Sequence, residues 1–143
     1  FLIVGDGPIS EELRAMATKL NLNGHATFTG VRKDMDGIYA VSDLMVNASS
    51  IEGLPMTILE AMAAKVALIV TPVGAVPEVI KHGVNGVIFH TGDEHGLSRE
   101  ICSLIDDPSR RESLIERAYQ DVHDRFSSAA MVRQYKQIYE SIT

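Results

Sequence analysis

The residues best able to do chemistry are two glutamates, Glu52 and Glu60, set in the stretch Ser49 to Ala64, which reads SSIEGLPMTILEAMAA. Between them lies Gly53-Leu54-Pro55. Gly53 permits backbone conformations closed to other residues. Pro55 suits the first helical position, where a missing N–H is no loss. A helix starting there points the N–H groups of Leu54, Met56, Thr57 and Ile58 forward without helical partners, at the positive end of the helix dipole. Such a start is a place for a phosphate. A carboxylate repels a phosphate, so neither glutamate should touch one. Acceptor-only groups beside an anion site instead suit sugar hydroxyls, which donate hydrogen bonds. An anion flanked by two polyols describes a nucleotide sugar, with ribose on one side and the transferable sugar on the other.

Each glutamate taken alone has an ordinary explanation. Glu52 can be a solvated loop residue, and Glu60 the single polar contact of a core helix. Together they point further, because Met56 to Ala64 carries no other charge and predicts a helix without a water-facing side. A carboxylate buried there is costly unless paired, so Glu60 needs a partner within the protein or bound to it.

The elements that must hold these residues alternate. Phe1 to Val4 reads as a buried parallel strand ending in the tight turn Gly5-Asp6-Gly7-Pro8, and a helix follows from about Ser10 to Leu20. This turn has only the first two glycines of a dinucleotide fingerprint, with Ser10 and Glu12 further on, so a plain strand-to-helix turn is the better explanation. Asn23-Gly24 punctuates, and Ala26 to Thr29 is a second strand closed by Gly30. Asp34 to Val41 is a short helix, and Leu44 to Ala48 a third strand that delivers the chain into the glutamate turn. Val66 to Thr71 is an unbroken apolar run of the kind buried on both faces. Pro77-Glu78 opens a short helix, and Val87 to His90 is a fifth strand. Helices begin at Asp93-Glu94, at Asp107-Pro108 and at Ser127, the last running over 127–142 with an apolar stripe of Met131, Tyr135, Ile138 and Tyr139.

This alternation predicts an α/β fold, an open doubly wound parallel sheet of Rossmann-like type. In such sheets ligands bind beyond the carboxyl ends of the strands. The glutamate turn lies at that edge, with Gly5 to Pro8, Gly30 to Lys33 and Thr71 to Ala75. The basic pair Arg32-Lys33 can meet a phosphate there or simply be solvated.

Composition narrows the classes. The 143 residues make one domain, and 45% apolar with 22% charged residues is ordinary for a soluble globular chain. A net charge of −6, with 13 Lys and Arg in no run longer than two, argues against nucleic-acid binding. No apolar run approaches the ~20 residues of a membrane span, and no signal peptide is expected. The single cysteine, Cys102, allows no internal disulfide and falls on an amphipathic helix pattern where packing explains it. The five histidines show no metal-ligand spacing, and the Gly-x-Ser-x-Gly elbow of serine hydrolases is absent. The chain starts at Phe1 inside a strand pattern, without a methionine, and is expected to be an excerpt of a longer protein.

Glu52-Gly53-Leu54-Pro55 followed by Glu60-Ala61-Met62-Ala63 resembles the signature of retaining glycosyltransferases of the GT-B fold, the large group called family four, or glycosyl transferases group 1. Further ordered matches are Gly5-Asp6-Gly7-Pro8, Phe28-Thr29-Gly30 with Asp34, and Ser42-Asp43-Leu44. After the signature come Gly74 with Glu78, Gly83 with Gly86, Phe126-Ser127, Tyr135 and Ile138-Tyr139.

The resemblance implies that residues 1–143 are the donor-binding domain, the C-terminal lobe of a larger two-lobed enzyme, truncated at its N-terminal strand, with 127–142 as its closing helix. It implies hexosyl transfer from a nucleotide-diphosphate sugar with retained configuration, in cell-envelope or exopolysaccharide synthesis. It puts Glu52 on the hydroxyls of the transferred sugar as the catalytic candidate and Glu60 on the ribose. Gly53, Leu54, Pro55, Met56 and Thr57 fall at the sugar and diphosphate, Gly5 and Gly7 at the donor edge, and Val31 and Arg32 against the base. No metal and no other cofactor is expected. The acceptor, a glycan, lipid or small molecule, is expected to bind through the absent N-terminal lobe. A cytoplasmic location is implied, with peripheral membrane association of the full protein as an option. A missing strand is expected between the first and third strands of this chain, leaving a gap, a rearrangement or an association there unless a parent protein fills it. Relatives commonly have Gly and Pro where this chain has Lys65 and Ala67, and paired glycines where it has Gly74-Ala75, so local backbone changes are expected. A non-catalytic nucleotide-sugar-binding module and a GT-B-fold epimerase are the alternatives.

Overall fold

The fold is described from a computed structural model covering residues 1–142. It comprises two compact units, Phe1–Ile38 and the chain from Tyr39 onward. In the first, β1 (Leu2–Val4) and β2 (Thr27–Gly30) pair in parallel through α1 (Ser10–Lys19), with Leu2 opposite Thr27 and Ile3 opposite Phe28. The end of α1 follows from Asn21, which takes φ 56°. Its N–H reaches Thr18 O at 3.0 Å and that of Leu22 reaches Ala17 O at 2.9 Å, the paired bonds of a Schellman stop.

The expectation of a buried first strand is not met. Leu2, Ile3 and Val4 are 44%, 40% and 36% exposed. None of residues 1–38 is buried, because one helix and a two-stranded ladder cannot enclose an apolar side chain.

Helix α2 (Met35–Ala40) carries the chain into the second unit. There β3 (Leu44–Asn47), β4 (Ala67–Val70) and β5 (Val87–Ile88) form a parallel sheet in that order. Helices α3 (Met56–Ala63) and α4 (Val76–Val79) lie in its two crossovers. The α/β class and parallel pairing are as the alternation predicts, but the strands form two sheets, β1-β2 and β3-β4-β5, rather than one.

The core sits on β4, all of whose residues are buried, as an apolar run with no alternation requires. Ala67 and Ile69 cluster with Val87, Phe89, Leu104 and Leu114. The last two come from α5 (Glu94–Asp106) and α6 (Pro108–Phe126). Burying side chains such as Leu68 and Ile69 contributes about 1.5–3 kcal/mol each. From the α3 side, Ile58, Ala61 and Met62 are fully buried.

Short polar signals set the helix starts. Asp93 Oδ1 accepts from Gly96 N at 2.8 Å, Asp107 Oδ1 from Arg110 N at 2.9 Å, and Ser127 Oγ from Ala130 N at 3.2 Å at the head of α7 (Ser128–Ile142). A buried polar knot joins two distant segments. Asn85, 1% exposed, donates to Asp121 Oδ2 at 2.7 Å and to Val79 O at 3.0 Å, and accepts from Lys81 N at 2.7 Å. Arg117 completes the pairing of Asp121 at 3.2 Å.

Two further expectations change. Cys102 is exposed rather than packed, because it lies on the outer side of α5 from Leu104. The apolar stripe of α7 is exposed too, from 53% at Met131 to 69% at Tyr139, and the buried residue of that helix is Ala130.

Candidate functional site

The site is built from what leaves the carboxyl ends of β3 and β4. Asn47 ends β3 and its carbonyl accepts from Thr71 N at 3.0 Å, joining the two strand ends. Thr71 Oγ1 then donates to Ser49 O at 2.6 Å, and Asn47 Oδ1 accepts from Ser49 N at 3.3 Å. Ser49 is thereby fixed, and its hydroxyl donates to Glu52 Oε1 at 2.8 Å. Glu52 is partly buried, and its other carboxylate oxygen has no partner among the described residues.

A second loop braces this one. Gly74 takes φ 54°, and a Cβ there would lie 2.2 Å from Glu52 O and 2.3 Å from Gly53 O. Only a residue without a side chain permits that approach. Ala75 N donates to Gly53 O at 2.8 Å and locks the pair of loops together.

Helix α3 follows, but its start differs from expectation. Pro55 is the residue before the helix, with φ −68° and ψ 123°, and the first helical residue is Met56. Pro55 has no side chain to cap the turn, and Ile58 N is taken by Pro55 O at 3.1 Å. The N–H groups of Leu54, Met56 and Thr57 have no partner among the described residues, so three of the four expected donors remain at the positive end of the helix.

Glu60 also corrects the sequence reading. It is exposed, as are Met56 at 63% and Ala63, so α3 does have a wet side at helical spacing. The cost of a buried carboxylate therefore does not arise. Glu60 nonetheless has a partner within the protein: Tyr39 Oη donates to its Oε2 at 2.9 Å. Among the described residues no ion pair includes Glu52 or Glu60. Each carboxylate thus has one oxygen held by a hydroxyl and the other without a partner among the described residues.

The site is an open surface. Gly53 and Met56 are exposed with Glu60, and Ile51 is 87% exposed. Two surface concavities, of about 540 Å³ beside Tyr135 and Tyr139 and about 480 Å³ beside Pro108 and Glu112, are lined by neither glutamate.

The remaining candidates lie in the first unit, where β1 and β2 end. Gly5 N donates to Gly30 O at 2.9 Å, which ties the two loops. Gly7 N is engaged by Asp6 Oδ1 at 2.8 Å, and Ser10 Oγ donates to the same oxygen. The Ser10 hydroxyl first, and then the Gly7 N–H, hold the Asp6 carboxyl below its ordinary range. Val31 is 73% exposed. Arg32 is not free: its Nε donates to Asp34 Oδ1 at 2.8 Å and its Nη2 to Oδ2. That fork raises the Arg32 pKa and lowers that of Asp34.

Residues 1–121 match the family model described as glycosyl transferases group 1. The chain belongs to this family. Among relatives, N-acetyl-alpha-D-glucosaminyl L-malate synthase of Bacillus anthracis is 35% identical over 99% of this chain and 37% of its own length. The lipopolysaccharide core biosynthesis glycosyltransferase LpsE of Rhizobium meliloti is 31% identical over 97% of this chain and 41% of its own. Crystal structures of Anabaena HepE, in complex with UDP and with UDP-glucose, superpose with TM-scores of 0.89 and 0.88 at 26% identity, over 98% of this chain and 40% of theirs. The chain thus spans about two fifths of the length of these relatives. Its α/β fold with parallel sheets is that of the C-terminal lobe of GT-B glycosyltransferases.

The departures from the family pattern can now be read. Lys65, where the family resemblance leads one to expect glycine, adopts φ 58°. Lys65 N bonds to Met62 O at 3.3 Å and Val66 N to Ala61 O at 3.0 Å, so the helix stop of a glycine is kept with a lysine. The strain is offset by the Lys65 ammonium, which lies 3.3 Å from Glu116 and 4.4 Å from the centre of the Tyr119 ring. Tyr39 and Ser49 have roles that the sequence reading did not assign. A lone tyrosine in the short segment MDGIYA was the available signal, since a buried phenol seeks a hydrogen-bond partner.

Proposed function

We propose that this chain is the donor-binding lobe of a larger two-lobed, retaining glycosyltransferase. One observation carries the reading: among the described residues, three N–H groups at the start of α3 lack partners, and the two carboxylates on either side of them in the chain each keep one oxygen unengaged. Glu52 meets the hydroxyls of the transferred sugar, and Glu60 those of the ribose. Gly53, Leu54, Met56 and Thr57 line the sugar and diphosphate, with Pro55 setting the direction of the helix. The bond from the anomeric carbon to the diphosphate breaks with its electron pair on the leaving oxygen. Backbone donors already aimed at that charge stabilise it without reorganising. Within the first unit, Gly5, Gly7, Val31 and Arg32 are the candidate donor contacts. Arg32 reaches a ligand only while sharing or releasing Asp34.

The HepE complexes with UDP and UDP-glucose support a nucleotide-sugar donor. The lipopolysaccharide role named for LpsE supports a cell-envelope or polysaccharide product. The acceptor binds through an N-terminal lobe of the same larger protein. No metal takes part. The protein works in the cytoplasm; among the described residues no helix is long and apolar enough to cross a membrane. Thermal melting of the full-length protein with UDP-, GDP- and ADP-sugars tests the reading. A cognate donor at about a hundredfold excess over its Kd adds about 2.7 kcal/mol and raises the melting point by several degrees. No shift with any of the three overturns it.

A further inference from the structure

We propose that Tyr39 is a positioning residue that presents Glu60 to the ribose. This rests on the reading of Glu60 as the ribose contact. Tyr39 is 5% exposed, so its ring is part of the core, yet its hydroxyl reaches out to the exposed Glu60. The phenol has a single proton, and Glu60 and Thr57 each offer it an acceptor. Glu60 Oε2 lies at 2.9 Å and Thr57 O at 3.4 Å, and the nearer, charged oxygen takes the proton.

The consequence is directional. An exposed glutamate on a helix turns freely about three side-chain torsions, and a ligand that uses it must first stop that motion. Here a rigid, buried ring anchors Oε2 from below, leaving Oε1 and the spare lone pair of Oε2 for two neighbouring hydroxyls. The anchor comes from the helix before β3 and the carboxylate from the helix after it. Binding of a vicinal diol is therefore preorganised by a residue that need not touch the ligand.

The test uses the full-length protein with UDP, GDP and ADP. The tightest binder is then compared with its 2′,3′-dideoxy counterpart by calorimetry. The wild type prefers the ribose form, and Glu60→Ala abolishes the preference. Tyr39→Phe, which keeps the ring and a melting point within a few degrees, reduces the preference by about tenfold. It leaves dideoxy binding unchanged and has no further effect when added to Glu60→Ala. A merely structural role would weaken both nucleotides alike. If the wild type shows no preference, or Glu60→Ala keeps it, the ribose reading fails and this proposal with it. If those two behave as expected but Tyr39→Phe stays within twofold of wild type, or weakens both nucleotides alike, the proposal alone is overturned.

Discussion

Replacing Gly74 by alanine asks whether the two loops at the ends of β3 and β4 form one unit. Gly74 sits at φ 54°, where an alanine costs about 1–2 kcal/mol. The larger effect is steric. The new methyl would stand 2.2 Å from Glu52 O and 2.3 Å from Gly53 O, and real Cβ contacts do not fall below 3.0 Å, so the chain must open by at least about 0.8 Å. Both obstacles are backbone, so no side-chain rotation relieves them. Overpacking of this kind adds about 1–3 kcal/mol, giving about 2–5 kcal/mol in all by urea denaturation. Displacement of Glu52 by nearly an ångström should lower sugar transfer by about a hundredfold. Gly92→Ala is the control, because it has φ 81° but nothing within 4 Å of the added carbon. It should cost about 1–2 kcal/mol and leave transfer untouched. Transfer by Gly74→Ala within about twofold of the Gly92→Ala rate would refute the claim that the second loop holds Glu52.

Other consequences follow from the hydrogen bonds. The Asp6 carboxyl is held below its ordinary value of 3.8, so its contribution to stability is present above about pH 4 and is lost as pH falls through the lower folded value. Asp6→Asn should flatten that acid limb in urea midpoints measured from about pH 5 to about pH 2; an unchanged limb would show the Ser10 and Gly7 bonds to be worth nothing. Asn85→Ala strands the Asp121 carboxylate beside Arg117 alone and leaves Lys81 N and Val79 O unpaired. It should destabilise by about 2–4 kcal/mol in the same assay, and a cost under about 1 kcal/mol would mean water replaces the amide.

What the sequence made legible was local. Asp93, Asp107 and Ser127 announce helix starts and each is found bonding the backbone ahead of it. The run Val66 to Thr71 has no polar face, and β4 has no exposed residue. The signature turn combined two carboxylates with a helix start, and among the described residues that start keeps three N–H groups without partners while Glu60 stands exposed on α3. What was misread depended on distant partners. A strand's burial is set by what covers it, so Phe1 to Val4 looked like a core strand although its sheet has only β2. The apolar count of α3 hid its wet side, because Met56 and Ala63 are exposed although apolar. Tyr39 and Glu60 are brought together by packing, and neither neighbourhood names the other. The same holds for Asn85 and Asp121. Lys65 shows the converse, a side chain in a glycine conformation made tolerable by Glu116 and Tyr119 on another helix.

The division of labour between the two glutamates is tested most directly by calorimetry on the full-length protein. Wild type and Glu52→Ala are each titrated with a nucleoside diphosphate and with the matching nucleotide sugar. The bare nucleotide should bind both proteins within about twofold, while the nucleotide sugar should bind the variant at least about tenfold more weakly than the wild type. Equal affinity of the two proteins for the nucleotide sugar would contradict the assignment of Glu52 to the transferred sugar.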